Sequence, residues 1–539
     1  MQIALTFSGG GFRAAAFALG SLSLLQRIKF EQGTLLDQVS ILSTVSGGTI
    51  TGARYTLGKK RNESFQTIYE GLYSFLSNSN LIIEALDHLA EEKNWKSGRV
   101  RNLITAFSDI YDQKLFDGAR FGELMTDAEG ATFRHLSFNA TDFENGLQFR
   151  FQWSEKIINP AEGEPERGII GNNFLRVPYD FARDIRLADI MAASSCFPGG
   201  FEPINFPDDF NFSAVKNGDL LDQNKYPVGL MDGGIVDNQG IEPILLAESR
   251  MKKNIPGDVN QNAIDLIIVC EVASPTMEGF KASQQHTSGW WKSLTPKGIG
   301  IVNAISWVLS LVGIVWSFMG NCRPLLIVFS MLFTFNNMVW WLYRVAGKGL
   351  RGSGVPDEFL APLGKLLRLK LFIYQNLLMN RYNSMLMLTM SVFLKHVRRL
   401  NYRTLYADKS WANRRIMNAI YELKTSERKT VDNKVKNGLL SNMLLPSTLI
   451  QDNSDLAASM GTTLWFTKKE LDEDKMLDAI IACGQYNTCW NLLEYIHLLK
   501  LNSDNTNSAH RQLIACEDQL MELWRKFQMQ PKGMVEHFF

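Results

Sequence analysis

Over its first half the chain alternates short apolar runs that end in glycine clusters with longer stretches of helical spacing. Residues 2–7 form one such run. They lead into Ser8-Gly9-Gly10-Gly11-Phe12-Arg13 and an alanine-rich stretch from 14 to about 28, which predicts a buried strand, a tight loop and a helix. Residues 39–44 repeat the layout as a second strand, leading into Ser46-Gly47-Gly48 and helix-compatible residues 49–57. Residues 62–110 keep helical spacing, as in Ile68, Leu72, Phe75 and Leu76. Residues 133–138 and 147–153 alternate as strands around a polar turn at 139–146, where Asp142 and Glu144 read as solvated loop carboxylates. A helix of small residues at 187–196 stops at Phe197-Pro198-Gly199-Gly200, a short apolar run ends at Asp232-Gly233-Gly234, and residues 265–271 predict one more core strand.

The second half has a different pattern. Residues 299–319 are almost wholly apolar, and 324–343 are uncharged and end in Val-Trp-Trp-Leu-Tyr. Helices of about 20 residues at 1.5 Å each span roughly the 30 Å hydrocarbon core, so the two runs joined at 320–324 predict a transmembrane hairpin. A pair of buried core helices, or an apolar lid, gives the same pattern. The aromatic belt of Trp340, Trp341 and Tyr343 and the basic flanks Lys292, Lys297, Arg344, Lys348 and Arg351 favour the hairpin, with both flanks and the catalytic core facing the cytoplasm. Asn336 and Asn337 are costly in lipid and point to a helix-helix contact, hence to self-association. Residues 359–407 contain no acid and eight bases, including Arg398 and Arg399, among Leu, Met, Phe and Tyr. Such helices lie on anionic lipid surfaces, though a nucleic-acid patch would carry the same charge. Residues 406–442 then read as charged, solvent-facing helix, 444–453 as a linker, and 462–467 as a strand before further helices, a tail expected to return to the sheet.

Composition narrows this picture only in part. A formal charge of +1, from 56 basic and 55 acidic residues, gives no reason to expect nucleic acid. Cys196, Cys270, Cys322, Cys483, Cys489 and Cys516 show neither metal spacing nor disulfide density, which suits buried thiols in a reducing compartment. The first residues lack the basic region of a cleavable signal peptide.

The glycine clusters carry the candidate chemistry. A strand, a glycine loop and a helix make an anion site, because backbone N–H groups converge there and the helix dipole favours negative charge. The Gly9–Gly11 loop lacks the Lys-Ser/Thr of a phosphate loop, leaving an ester oxyanion or a plain strand-to-helix turn. Thr44-Val45-Ser46-Gly47-Gly48 has the layout of a nucleophile elbow, with Thr44 where glycine is usual. Asp232, at the end of an apolar run, can be held partly out of water and so raised toward a useful base.

Together these motifs resemble the patatin-like phospholipases. In that family a Gly-Gly-Gly-x-Arg loop forms the oxyanion hole, an elbow serine is the nucleophile, and the Asp of Asp-Gly-Gly/Ala is its base. The resemblance implies those roles for Gly9, Gly10, Gly11 and Arg13, for Ser46 with Thr44, Gly47 and Gly48 around it, and for Asp232 with Gly233 and Gly234. Asn139-Ala140-Thr141-Asp142 and Ala192-Ala193-Ser194-Ser195-Cys196-Phe197-Pro198, with Phe201-Glu202-Pro203, are similar to two further family blocks. The resemblance covers about residues 1–274. A Ser-His-Asp triad would need His497 or His510, neither of which lies in a motif.

The expected fold class is α/β: a three-layer α/β/α patatin-like hydrolase core at 1–285, an inserted transmembrane hairpin with flanks at 286–353, a basic amphipathic helical region at 354–445, and a C-terminal strand and helices at 446–539. The expected function is a membrane-anchored serine lipid acyl hydrolase of phospholipase A type, acting through a Ser46–Asp232 dyad and an acyl-enzyme, with no cofactor or metal required. The alternative is a catalytically weak membrane scaffold. Expected partners are an acyl-ester lipid and the membrane, with no nucleic acid; a homo-oligomer or regulatory partner would answer the hazard of an enzyme that digests its own bilayer.

Overall fold

Strand β1 (Ile3–Phe7) is buried along its whole length, and the larger of two compact units is built outward from it. In chain order there follow α1 (Gly11–Arg27), β2 (Val39–Val45), α2 (Gly47–Lys60), β3 (His135–Asp142), β4 (Leu147–Ser154), α3 (Leu187–Ser195), β5 (Ile204–Phe206), β6 (Val228–Asp232), α4 (Ile241–Lys252), β7 (Leu266–Glu271), α5 (Leu394–Ala407), β8 (Arg415–Ala419), α6 (Thr448–Ser459) and α7 (Met476–Leu501), among other helices. This computed structural model describes the chain outside residues 93–94, 96–98, 126–132, 159–164, 213–220, 222–224, 253–262, 275–278, 282–288, 353–364, 366, 502–507 and 536–539. Contacts divide it into two units, Met1–Thr276 with Phe393–Phe539, and Met277–Val392.

The eight-stranded sheet of the first unit runs β8-β7-β1-β2-β3-β6-β5, with β4 on the far edge of β3. From β8 to β3 every pairing is parallel, as successive strand-loop-helix units dictate; β4, β6 and β5 add antiparallel pairs. Side chains alternate across the sheet. Leu5, Leu42, Ile268 and Cys270 join the large cluster under α1, α2 and α7, while Ala4, Ile41, Ile267 and Val269 join Ile241 and Ile244 of α4 and Leu405 of α5. Helices therefore cover both faces, which is why the central strands are apolar at nearly every position.

Fourteen of the seventeen residues of α1 are buried, so this helix has no solvent face and must be wrapped on all sides. Its alanines allow that. At the crossing with α7 the backbones meet: a Cβ on Gly484 would collide with the Phe17 carbonyl, and one on Gly20 with that of Ile481. Beside the crossing, Asn418 of β8 donates to Ser21 Oγ (3.2 Å) and Thr488 Oγ1 (2.8 Å), and Gln485 donates to Ser23 Oγ (2.9 Å).

Several local expectations change. Residues 139–142 continue β3 instead of turning, and Asp142 is fully buried, accepting from Asn172 Nδ2 (3.0 Å) and from the N–H groups of Glu144 and Asn145 (3.1 Å each). The charged stretch 406–442 contains β8, whose pairing with β7 brings the chain back to the sheet. Residues 448–459 are helix α6 and not a linker, and 462–467 form a bent loop with no strand partner among the described residues.

In the second unit, helices Pro296–Met319 and Arg323–Gly352 pack against each other. Asn336 donates to Ser306 Oγ (3.0 Å) and accepts from Asn303 Nδ2 (3.2 Å) at its carbonyl. Asn337 bonds to the Phe333 carbonyl (2.8 Å) and accepts from Trp307 Nε1 (3.4 Å). The helix-helix contact expected of the asparagines is thus present between the two helices of this unit.

The α1–α7 crossing sets a sign test. Replacing a solvent-facing helical glycine by alanine stabilises by up to about 1 kcal/mol. Gly484→Ala should instead destabilise by about 1–3 kcal/mol, as overpacking does, measured by denaturant unfolding.

Candidate active site

One strand sets the position of both candidate catalytic side chains. β4 runs along one edge of β3 over its full length. The other edge of β3 is shared. Residues His135–Asn139 pair in parallel with Ile41–Val45 of β2, and Ala140–Asp142 pair antiparallel with Asp232–Leu230 of β6. The two strands therefore approach from opposite directions and end at neighbouring register positions, Val45 opposite Asn139 and Asp232 opposite Ala140.

Ser46 follows β2 with φ 50° and ψ −124°, a conformation that L-residues avoid and that a nucleophile elbow requires. The turn is held by Ser194 at the end of α3. Its Oγ accepts the Ser46 N–H (3.0 Å) and donates to the Asn139 carbonyl (2.8 Å). Because that proton is committed, the Thr49 hydroxyl must donate to Ser194 (2.9 Å), and Thr44 must donate to Thr49 (3.0 Å). Thr44, in the place usually held by glycine, thus starts a chain of hydroxyls that ends on the carbonyl facing both strands. Asn139 adds a second tie, donating Nδ2 to Ser43 Oγ and to the Thr44 carbonyl (2.9 Å each).

Asp232 is 7% exposed and Ser46 8%. The carboxylate accepts the Gly234 N–H (2.7 Å), its own N–H donates to the Cys196 carbonyl (2.8 Å), and its carbonyl accepts from Thr141 Oγ1 (2.8 Å). Burial raises its pKa to about 6, the largest influence; hydrogen bonds from the Ser46 hydroxyl and the Gly234 N–H pull the other way. Gly233 packs onto the Asn139 carbonyl, where a Cβ would not fit.

The glycine loop lies on the other side of Ser46. A Cβ on Gly9 would stand 3.2 Å from that of Ser46, and one on Gly47 would strike the backbone of Gly11. Gly48 packs equally closely on Phe7 and Ser8. Within the loop the donors divide. The Gly9 N–H bonds to the Asn238 carbonyl (3.0 Å) and that of Phe12 to the Thr463 carbonyl (2.8 Å), whereas those of Gly10 and Gly11 have no partner among the described residues. Arg13 turns away and donates to the Met460 carbonyl; burial lowers its pKa, and nearby Glu271 partly offsets this. Gly9 and Arg13 therefore fix the loop, and the free donors narrow to Gly10 and Gly11.

No histidine bonds to Ser46 or Asp232 among the described residues. His497 meets the Gly438 carbonyl (3.1 Å) and His510 faces the Tyr495 hydroxyl (3.4 Å); His286 and His537 lie outside the described residues. Asn238 and Glu271 belong to no motif legible in the sequence. For Glu271 the one available signal is an acidic residue closing the apolar strand Leu266–Glu271.

The family model of patatin-like phospholipases matches residues 5–245. No curated protein matches the chain. Two solved structures of human GIVD cytosolic phospholipase A2, one of them in complex with methyl gamma-linolenyl fluorophosphonate, are similar at 15% and 16% identity with a TM-score of 0.30 each. The matches cover 51% of this chain and only 46% and 41% of those chains, less than half their length.

The raised pKa of Asp232 makes a prediction about stability. Its folded value of about 6 lies above the unfolded value near 3.9, so the folded state binds the extra proton between them. The contribution is favourable at acid pH and is lost as pH rises through about 6. Asp232→Asn should consequently melt above the native protein at pH 8, by up to roughly 3 kcal/mol in stability. The gap should close as the pH falls toward 4 in thermal scans.

Proposed function

We propose, starting from a patatin-like phospholipase domain at residues 5–245, that this protein is a membrane-anchored lipid acyl hydrolase in which Ser46 and Asp232 work as a dyad. The observation that carries the reading is a buried carboxylate, pushed by burial to a pKa of about 6, hydrogen-bonded by a strained serine that packs on the glycine loop.

The chemistry follows from these positions. Asp232 takes the Ser46 hydroxyl proton while Oγ attacks the ester carbonyl, and the oxygen that gains charge is held by the N–H groups of Gly10 and Gly11. Collapse of the tetrahedral intermediate expels the alcohol portion of the lipid, which receives the proton from Asp232. Water then attacks the acyl-enzyme with Asp232 again as base, releasing the fatty acid and restoring the serine. A base with a pKa near 6 suits this work. It is ionised at neutral pH and still binds a proton far better than an exposed aspartate.

Membrane anchoring is supported by the inside-out packing of the hairpin. On Pro296–Met319 the buried positions are Asn303, Ser310, Gly313 and Ser317, and the one buried position among the described side chains of Arg323–Leu342 is Asn336. Apolar side chains face outward, Phe318 at 74% and Met319 at 80% exposure. Core helices of a soluble protein would show the reverse. Polar and small residues inside with apolar residues outside is the order that lipid favours. Arg344 stacks 4.2 Å over the Trp340 ring, placing a cation beside an aromatic at one end of the second span.

Two outcomes are expected. A fluorophosphonate probe should label Ser46, and Ser46→Ala and Asp232→Asn should each lower lipid hydrolysis on the order of 10⁴-fold while His510→Ala leaves it unchanged. A folded native protein that resists the probe would favour the scaffold reading. In cell fractions the native chain should stay with membranes through alkaline carbonate, and deletion of residues 297–344 should release it.

A further inference from the structure

Helix α5 is the element by which the chain enters the catalytic unit again after Val392, and one face of it rests on the loop that follows Asp232. Asn401 donates Nδ2 to the Val236 carbonyl (3.0 Å) and to Asp237 Oδ1 (3.1 Å). One residue on, the Tyr402 hydroxyl donates to Glu271 Oε2 (3.3 Å), and Arg398 Nε lies 3.7 Å from the same oxygen. This face is therefore not available to lie on lipid, as the run of bases suggested for the whole helix.

Glu271 is fully buried, and its surroundings are donors: Gln239 Nε2 at 2.7 Å, the Ala273 N–H at 2.8 Å, Asn238 Nδ2 at 3.5 Å, Tyr402 and Arg398. A carboxylate only accepts, so one charge gathers the end of β7, the loop after Asp232 and α5. The side chain it holds most closely is that of Gln239, and through this neighbour and its own 3.5 Å contact it restrains Asn238. The carbonyl of that residue accepts the Gly9 N–H, and its Oδ1 would lie 2.6 Å from a Cβ on either Gly9 or Gly234. A single side chain thus touches both the glycine loop and the Asp-Gly-Gly turn.

We propose that Glu271 and Asn401 are positioning residues: by fixing Asn238 between the two loops they hold the free N–H groups of Gly10 and Gly11 in register with Ser46. The proposal rests on the reading of Ser46 as nucleophile. Neither residue touches the reacting atoms; both act through the glycine N–H groups, which serve each tetrahedral intermediate, and labelling of the serine reads that effect at the first. A misplacement of about 1 Å in such a site costs about 100-fold in rate.

Glu271→Gln keeps the shape but turns one oxygen into a donor among donors. Asn401→Ala keeps a good helix former and removes only the clamp. With a fluorophosphonate, kinact should fall about 100-fold in Glu271→Gln and about 10-fold in Asn401→Ala, with KI within about twofold of native in both. In hydrogen exchange, amides in peptides spanning residues 8–13 should exchange faster in both variants while the melting temperature of Asn401→Ala stays native. Native exchange and native kinact in folded variants would overturn the positioning role. Failure of the native protein to label at Ser46 would instead overturn the hydrolase reading, with the exchange of Gly9 still deciding whether Glu271 and Asn401 hold the loop.

Discussion

A strand has two edges, and in this protein one edge of β3 is divided between two partners that run toward each other. Everything at the candidate site depends on that division. β2 can deliver a serine to the neighbourhood of an aspartate from β6 only because the first stops where the second arrives, at Asn139 and Ala140. Backbone pairing fixes both ends, so the geometry does not rely on long side chains finding each other. The Asn139 carbonyl marks the junction. It accepts from Ser194, packs on Gly233, and belongs to the residue whose side chain ties down Thr44.

The junction also explains why the aspartate carries an unusual proton affinity. Two strand ends meeting under α3 leave little room for water, and among the described residues the Asp232 carboxylate has the Gly234 N–H and the serine hydroxyl as partners. Burying charge with so few donors works against the fold. The protein tolerates it because a large apolar core offsets one poorly solvated group.

Much of this was legible in the sequence because it is local. Glycine where two backbones touch, a serine between a strand and a helix, and an aspartate closing an apolar run leave their signature within ten residues. The helices and strands of the first 274 residues follow apolar spacing for the same reason. What escaped is non-local. Asp142 reads as a loop acid, yet Asn172 makes it a buried one. Arg415–Ala419 lacks the apolar density of a central strand, because β8 is an edge whose polar Asn418 is satisfied by Ser21 and Thr488. Thr463 sits in a run that reads as a strand, but its carbonyl is taken by the N–H of Phe12 and no strand pairs with it among the described residues. In the hairpin the asparagines announce a polar contact correctly; only the partner, the adjacent helix of the same chain, could not be read from composition.

The crossing of α1 with α7 joins Gly20 to Gly484, and the loop carrying Gly11 leans on Thr463, so the glycine loop is completed by residues on the far side of the apolar segment. During synthesis the serine and the aspartate leave the ribosome first, the two apolar helices next, and the strand and helices that close around α1 last. A nascent chain therefore holds both candidate catalytic residues long before it holds a finished glycine loop. By the time residue 484 exists, both apolar helices have already been made. The order of the chain thus supplies a delay: the glycine loop is completed only after the two apolar helices have been synthesised.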